Sequence, residues 1–287
     1  MWWTSCSRRR EHRGGAACRP SAVSPTIRTG IGGWSFPPWR GPFYPPGLRQ
    51  KDELAFASRA VGAIEINATF HKLQKPENFR DWASQVPDGF VFALKGSRFI
   101  TNRRELRSAA GEPLGRFLDS GLTQLGDKLG PICWQLATTK RFDAEEIAAF
   151  LGMLPREHDG LALRHAIEVG HESFACAEFV ALARATGVAI AYVDGEDRPA
   201  IADRTADFVY ARLKRMQPEV EDGFPACELE RIAALARTWA SGEAPDLPYL
   251  TDPALSRRAT TDVLLFCING AKLRAPAAAQ ALAKRLV

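Results

Sequence analysis

Eight polar side chains stand at or near the ends of otherwise apolar runs in this 287-residue chain: Glu65, Asn67, Lys95, Gln135, Glu168, Asp194, Arg212 and Asn269. Carboxylates beside cations in apolar surroundings shift one another's pKa values, which opens acid and base roles. Lys95 and Arg212 could hold an anion. Glu65 or Glu168 could act as general base, with the other as acid or orienter. Asn67, Gln135 and Asn269 could fix the orientation of a substrate. The catalytic candidates are therefore Glu65, Glu168 and Lys95. The alternative is a paired ion network that fixes the register of a sheet. For any one residue the ion-network reading is at least as well supported. The grouping of eight on seven runs favours a ligand site.

The alternation of side chains along a strand tells which of these groups share a face. In Ala63–Thr69, Glu65, Asn67 and Thr69 lie opposite Ile64, Ile66 and Ala68. Val91, Ala93 and Lys95 share a face, as do Cys133 with Gln135 and Ala166 with Glu168. Ile190, Tyr192 and Asp194 form a face of the next run, and Tyr210, Arg212 and Lys214 a face of the one after.

The runs alternate with helical patterns. Strands are expected at 27–34, 63–69, 90–95, 131–136, 166–169, 188–194, 208–213 and 263–268. Helices are expected at 51–60, 76–86, 113–128, 144–154, 174–185, 228–240 and 276–286. Such alternation specifies parallel strands in βα units. Eight strands in about 260 residues predict an α/β fold, a single, somewhat irregular (β/α)8 barrel of the TIM type over 26–287. A doubly wound sheet is the weaker alternative, because no G-x-G-x-x-G fingerprint opens a helix. In a barrel, polar groups at the C-terminal strand ends face the mouth, where active sites are built.

Further candidates surround that mouth. Arg98, Arg103, Arg104, Lys214, Arg215, Lys272 and Arg274 follow C-terminal strand ends, and a cationic rim attracts phosphates. Trp34, Phe36, Trp39, Phe43 and Tyr44 could stack bases or pack a proline-rich loop. His71 and His171 follow strands. Trp34, His171 and Lys214 join Asn67, Gln135, Asp194, Arg212 and Asn269 as ligand-binding candidates. No H-E-x-x-H spacing occurs, and Lys95 and Arg212 oppose a cation, so no metal or cofactor is expected. His165 precedes its strand and belongs to the floor. No G-x-S-x-G elbow is present.

The composition, 46% hydrophobic and 25% charged, is that of a globular protein and excludes disorder throughout. No apolar window approaches the roughly 18 residues of a membrane span. The net charge of +5 and pI near 9.0 suggest a nucleic-acid partner. Residues 1–25 weaken that suggestion, because they hold Arg8, Arg9, Arg10, Arg13 and Arg19 against Glu11. They read as a disordered basic extension, with no apolar h-region of a secretory signal. The remainder carries 33 basic and 32 acidic groups. None of the six cysteines forms a C-x-x-C pair. They read as reduced thiols of a cytoplasmic protein.

The chain also resembles domain-of-unknown-function family 72, the YecE-like proteins. The resemblance rests on Gly33-Trp34-Ser35-Phe36 with Trp39-Arg40-Gly41 and Phe43-Tyr44-Pro45, on Glu65-Ile66-Asn67-Ala68-Thr69-Phe70, and on Phe90–Lys95. Gly130-Pro131, Trp134-Gln135-Leu136, Glu168 with His171 and Ser173-Phe174, and Phe208–Leu213 complete it. It spans about residues 27–286 and implies a TIM-type barrel with no settled activity. A likeness to endonuclease IV and sugar isomerases is analogy of fold. Departures from the family pattern are Gly170 in place of Arg, His71 in place of Tyr, Lys214-Arg215 in place of His-Gly, and Cys267-Ile268-Asn269-Gly270 at the last strand. The loss at Gly170 removes an anion contact that Lys214 and Arg215 could replace. Site carry-over is firmest for Glu65, Asn67, Lys95, Gln135, Glu168 and Arg212.

These readings point to an enzyme of hydrolase or isomerase type. It would bind a phosphorylated or nucleic-acid-derived anion at the mouth. A non-catalytic nucleic-acid or nucleotide binder is the alternative, and a scaffold with a structural polar interior is the third. No membrane contact or protein partner is evident.

Overall fold

The structure, a computed structural model, describes residues 26–109, 111–196, 198–268 and 270–286. The basic extension at 1–25 and the candidate Asn269 lie outside the described residues. The strands are β1 (Ile27–Gly32), β2 (Ala63–Ile66), β3 (Val91–Lys95), β4 (Leu129–Gln135), β5 (Glu157–His158), β6 (Leu161–Ala162), β7 (His165–Glu168), β8 (Ala189–Ile190), β9 (Tyr192–Asp194), β10 (Phe208–Leu213) and β11 (Asp262–Cys267). The α-helices are α1 (Glu53–Ala60), α2 (Ala68–His71), α3 (Pro76–Gln85), α4 (Arg98–Thr101), α5 (Glu112–Leu118), α6 (Ala144–Gly152), α7 (Ala177–Thr186), α8 (Ala226–Ala240) and α9 (Ala275–Leu286). The expected α/β barrel is what forms.

All barrel strands run parallel, in the order β8-β7-β4-β3-β2-β1-β11-β10-β9. The two ends of that order are halves of one strand. β8 pairs with β7 and β9 pairs with β10, while the intervening Ala191 N–H donates to the Ile167 carbonyl at 2.9 Å. An eight-membered ring results, with its sixth strand split. β5 and β6 form a small antiparallel hairpin outside it.

Two apolar layers hold the ring. Outward strand residues such as Ile31, Ile64, Leu94, Trp134 and Ile167 pack against the helices. Inside the barrel, Ala63, Ala93, Cys133, Ala166, Ala189 and Ala191 face Phe208, Tyr210, Leu264 and Phe266. Small residues on one side accommodate large ones on the other, which fills the interior at native density. Gly30 is part of this fit. A Cβ there would lie 2.5 Å from the Ala63 carbonyl oxygen and 2.9 Å from the Phe266 ring.

Three expectations need correction. The run at 63–69 is strand only to Ile66; Asn67 turns to helical angles and opens α2. Buried Thr69 donates its hydroxyl to the Ile66 carbonyl at 3.0 Å and the Lys95 carbonyl at 2.7 Å, which ties α2 to β3. The helix expected at 113–128 is α5 followed by a 3₁₀ turn over Leu122–Lys128, parted at Gly121. Finally, Ile190 and Tyr192 face the helices and Ala189 and Ala191 face the interior. Tyr192 packs edge-on against Trp239 of α8, with ring centroids 5.3 Å apart. Apolar bulk decided this face: a ring of alanines leaves room for the interior aromatics, and Tyr192 does not.

Candidate functional site

At the C-terminal end of the barrel, β2, β7 and β10 bring Glu65, Glu168 and Arg212 together. Each is almost fully buried. One Arg212 amine meets Glu65 Oε1 at 2.9 Å, and the other binds Glu168 Oε2. The Tyr210 hydroxyl donates to Glu65 Oε2 at 2.5 Å. Glu168 Oε1 accepts from Gln135 Nε2 at 3.1 Å and Lys214 Nζ at 3.2 Å, and lies 3.2 Å from Arg198 Nε. Isolated charges could not be buried here, but a network that satisfies every carboxylate oxygen can be.

The network fixes protonation. Burial would raise the Glu168 carboxyl, but Arg212, Lys214 and Arg198 outweigh it and hold the pKa at about 2. Burial would lower Arg212, yet the two glutamates hold it above the usual guanidinium range. The Tyr210 hydroxyl is raised well above its ordinary value by burial and by Glu65. Burial raises the Cys133 thiol as well, so it is an inert interior thiol.

A cleft of about 80 Å³ opens above this layer, lined by Gly32, Trp39, Glu65, Asn67, Lys95, Gln135, Arg212, Ile268 and Lys272. Lys95 Nζ donates to Gln135 Oε1 at 2.6 Å and lies 4.3 Å from the centre of the Phe70 ring. Lys272 Nζ lies 4.6 Å from the centre of the Phe36 ring, and the Lys272 carbonyl accepts from Trp39 Nε1 at 2.9 Å. Among the described residues, neither lysine makes an ion pair with a carboxylate. Burial lowers the pKa of both.

Of the expected site residues, Glu65, Asn67, Lys95, Gln135, Glu168, Arg212 and Lys214 meet at the mouth. Three others do not. Asp194 follows the helix-facing side of β9 and lies 3.6 Å from Arg215, outside the barrel interior. Its carboxyl pKa is raised by burial, against the lowering effect of Arg215 and Arg231. Trp34 packs edge-on against Trp82 and Phe92 at 5.4 and 6.4 Å, in the helix layer. His171 caps a 3₁₀ turn: its Nδ1 accepts from the Ser173 backbone at 3.1 Å. His165 occupies the floor as expected, between Trp134 Nε1 and the Pro155 carbonyl.

Two participants were not singled out by sequence. Tyr210 shares the inward face of β10 with Arg212, so its position was readable and its role was not. Arg198 sits on the loop after β9, where no periodicity marks it. Its approach depends on Gly170: a Cβ there would lie 2.7 Å from Arg198 Nη1 and 2.8 Å from Thr138 Cα. Glu168 thus receives a cation from the loop after β9, a source not anticipated beside Lys214 and Arg215. Of the other rim cations, Arg103 donates to the Phe99 and Ser108 carbonyls and Arg274 to the Pro218 carbonyl. No cluster of three or more His, Cys, Asp or Glu side chains able to hold a metal occurs among the described residues. No helix among them is long and apolar enough to cross a membrane.

Comparison with known proteins places this architecture. The family model described as "Protein of unknown function DUF72" matches residues 28–287. The UPF0759 protein YecE of Escherichia coli is 31% identical over 143 residues, 48% of this chain and 48% of the relative, in each of two strains. The chain spans about half the length of the curated relatives it matches. A DUF72 family protein from Thermotoga maritima has a similar fold, with a TM-score of 0.67 at 18% identity, covering 91% of this chain and 98% of that one. One from Enterococcus faecalis gives 0.62 at 17% identity, covering 91% and 97%.

Proposed function

The chain belongs to the DUF72 family of proteins of unknown function, and from that premise we propose that its barrel mouth is the site of a hydrolase- or isomerase-type enzyme acting on a small phosphorylated or nucleic-acid-derived anion. The observation that carries this reading is the pair Lys95 and Lys272, which line one cleft without carboxylate partners among the described residues. A buried ammonium without a counter-ion is costly, and an anionic ligand offsets that cost.

Each neighbour then has a role. Lys95 and Lys272 hold the anion. Asn67 and Gln135 orient it. Arg212 holds the Glu65 and Glu168 carboxylates in place behind the cations. Glu168, held at about 2, stays ionised at neutral pH and cannot act as an acid there. Lys95, whose pKa burial lowers, is the remaining candidate for proton transfer.

Calorimetric titration with inorganic phosphate tests this. The wild-type protein should bind it, and Lys95→Met should weaken binding by roughly tenfold or more while the protein remains folded. Equal affinity in the two proteins would remove Lys95 from the site. The non-catalytic nucleic-acid binder keeps some support in Phe99, 59% exposed, with the Arg98 guanidinium 5.4 Å from its ring centre. That reading requires affinity that falls steeply with salt and is indifferent to Glu168→Gln.

A further inference from the structure

We propose that the mouth selects a doubly ionised phosphate monoester and discriminates against phosphodiesters. This specificity rests on the anion-site reading above and narrows it.

The charge balance comes first. Lys95, Lys272, Arg212 and Lys214 bring four positive groups to the cleft and the layer beneath it. Glu65 and Glu168 supply two negative ones. Among the described residues, with Arg198 set aside, the surplus is two. A dianion neutralises it; a diester, with one charge, leaves a buried cation over.

The carboxylates of the inner layer are already engaged. Glu168 already faces Arg212, Lys214 and Arg198, and both Glu65 oxygens are taken by Arg212 and Tyr210. Gly170 leaves the space that Arg198 uses, so this crowding is built into the backbone. Among the described residues no carboxylate pairs with Lys95 or Lys272, and an anionic ligand would balance them.

Size agrees with charge. A cleft of about 80 Å³ admits a compact head group. A monoester presents three terminal oxygens on one side and leaves by one chain. A diester has two and must carry substituents away in two directions. Lysines suit the monoester, since each meets phosphate as a point charge with rotatable donors.

Titration of methyl phosphate and dimethyl phosphate into the full chain near pH 7.5 separates the possibilities. Methyl phosphate should bind at least roughly tenfold more tightly, about the effect of one additional charge interaction. Its affinity should fall as pH drops through about 6, where the second ionisation of a phosphate monoester is lost. Lys272→Met, which removes one surplus charge at a half-buried position, should shrink the preference between the two ligands. If both ligands bind alike, the anion site stands and the selectivity is wrong. If neither binds, the anion site itself is wrong, and the selectivity falls with it.

Discussion

Two arginines are buried at opposite ends of the barrel, and the protein accommodates them in opposite ways. Arg212, at the mouth, lies between two glutamates and is held firmly charged. Arg204 lies toward the floor, before β10 begins. It meets the carbonyls of Trp239 and Glu243, each at 3.4 Å, and the Thr261 hydroxyl. Its pKa is pushed down to about 10 by burial and by Arg258. Nearby, Asp203 accepts from the backbone N–H groups of Leu250 and Thr251 at 2.8 and 3.0 Å. The floor charges fasten the segment after α8 to the barrel. The mouth charges stand behind a cleft lined by Lys95 and Lys272, which have no carboxylate partner among the described residues. Burial of charge is therefore common to both ends; two lysines facing a cleft, without carboxylate partners among the described residues, distinguish the mouth.

This contrast can be broken by substitution. The largest loss should come from Arg212→Met, which strands two buried carboxylates. Breaking such a network costs about 3–5 kcal/mol, readable by urea unfolding. Arg204→Met should cost less, roughly 1–3 kcal/mol, because it leaves neutral acceptors unsatisfied. It should leave phosphate affinity unchanged. Lys95→Met should cost less than about 1 kcal/mol, since it removes a desolvated cation, yet it should lose phosphate binding. Were Lys95→Met to unfold the protein as Arg212→Met does, the separation of a binding layer from a structural layer would fail.

Acid unfolding sharpens the same comparison. The Glu168 pKa lies below the ordinary carboxyl value of 4.5, at about 2. Its stabilisation is complete above about pH 4.5 and is lost as pH falls toward 2. Unfolding free energy should decline across that window, and Glu168→Gln should flatten the decline. An unchanged slope would mean that other carboxyls dominate acid unfolding.

Much of this organisation was legible in the sequence. The two-residue period of Val91–Lys95, Cys133–Gln135 and Tyr210–Arg212 placed the inward groups correctly, because the polar ends Lys95, Gln135 and Arg212 fixed which face turns inward. The same rule misplaced Asp194, because Ile190 and Tyr192 are large on one side while Ala189 and Ala191 are merely small on the other. Which of two apolar sets faces a crowded interior depends on the neighbours' volumes, and those come from β7 and β10. Asn67 lines the cleft from a helical turn, not from the strand its alternation suggested. Trp34 and His171 sit near the correct strand ends, but aromatic packing and turn capping, both local tertiary matters, took their side chains elsewhere. Arg198 gave no signal, since its role depends on the space left at Gly170, 28 residues earlier in the chain.

A crystal grown or soaked with selenate tests the central claim most directly, because the anomalous signal of selenium locates a tetrahedral dianion without assumption. A peak within hydrogen-bond reach of both Lys95 Nζ and Lys272 Nζ is predicted. Selenate found only on surface arginines such as Arg98 or Arg103, with Lys95 still bound to Gln135 alone, would contradict an anion site at the mouth.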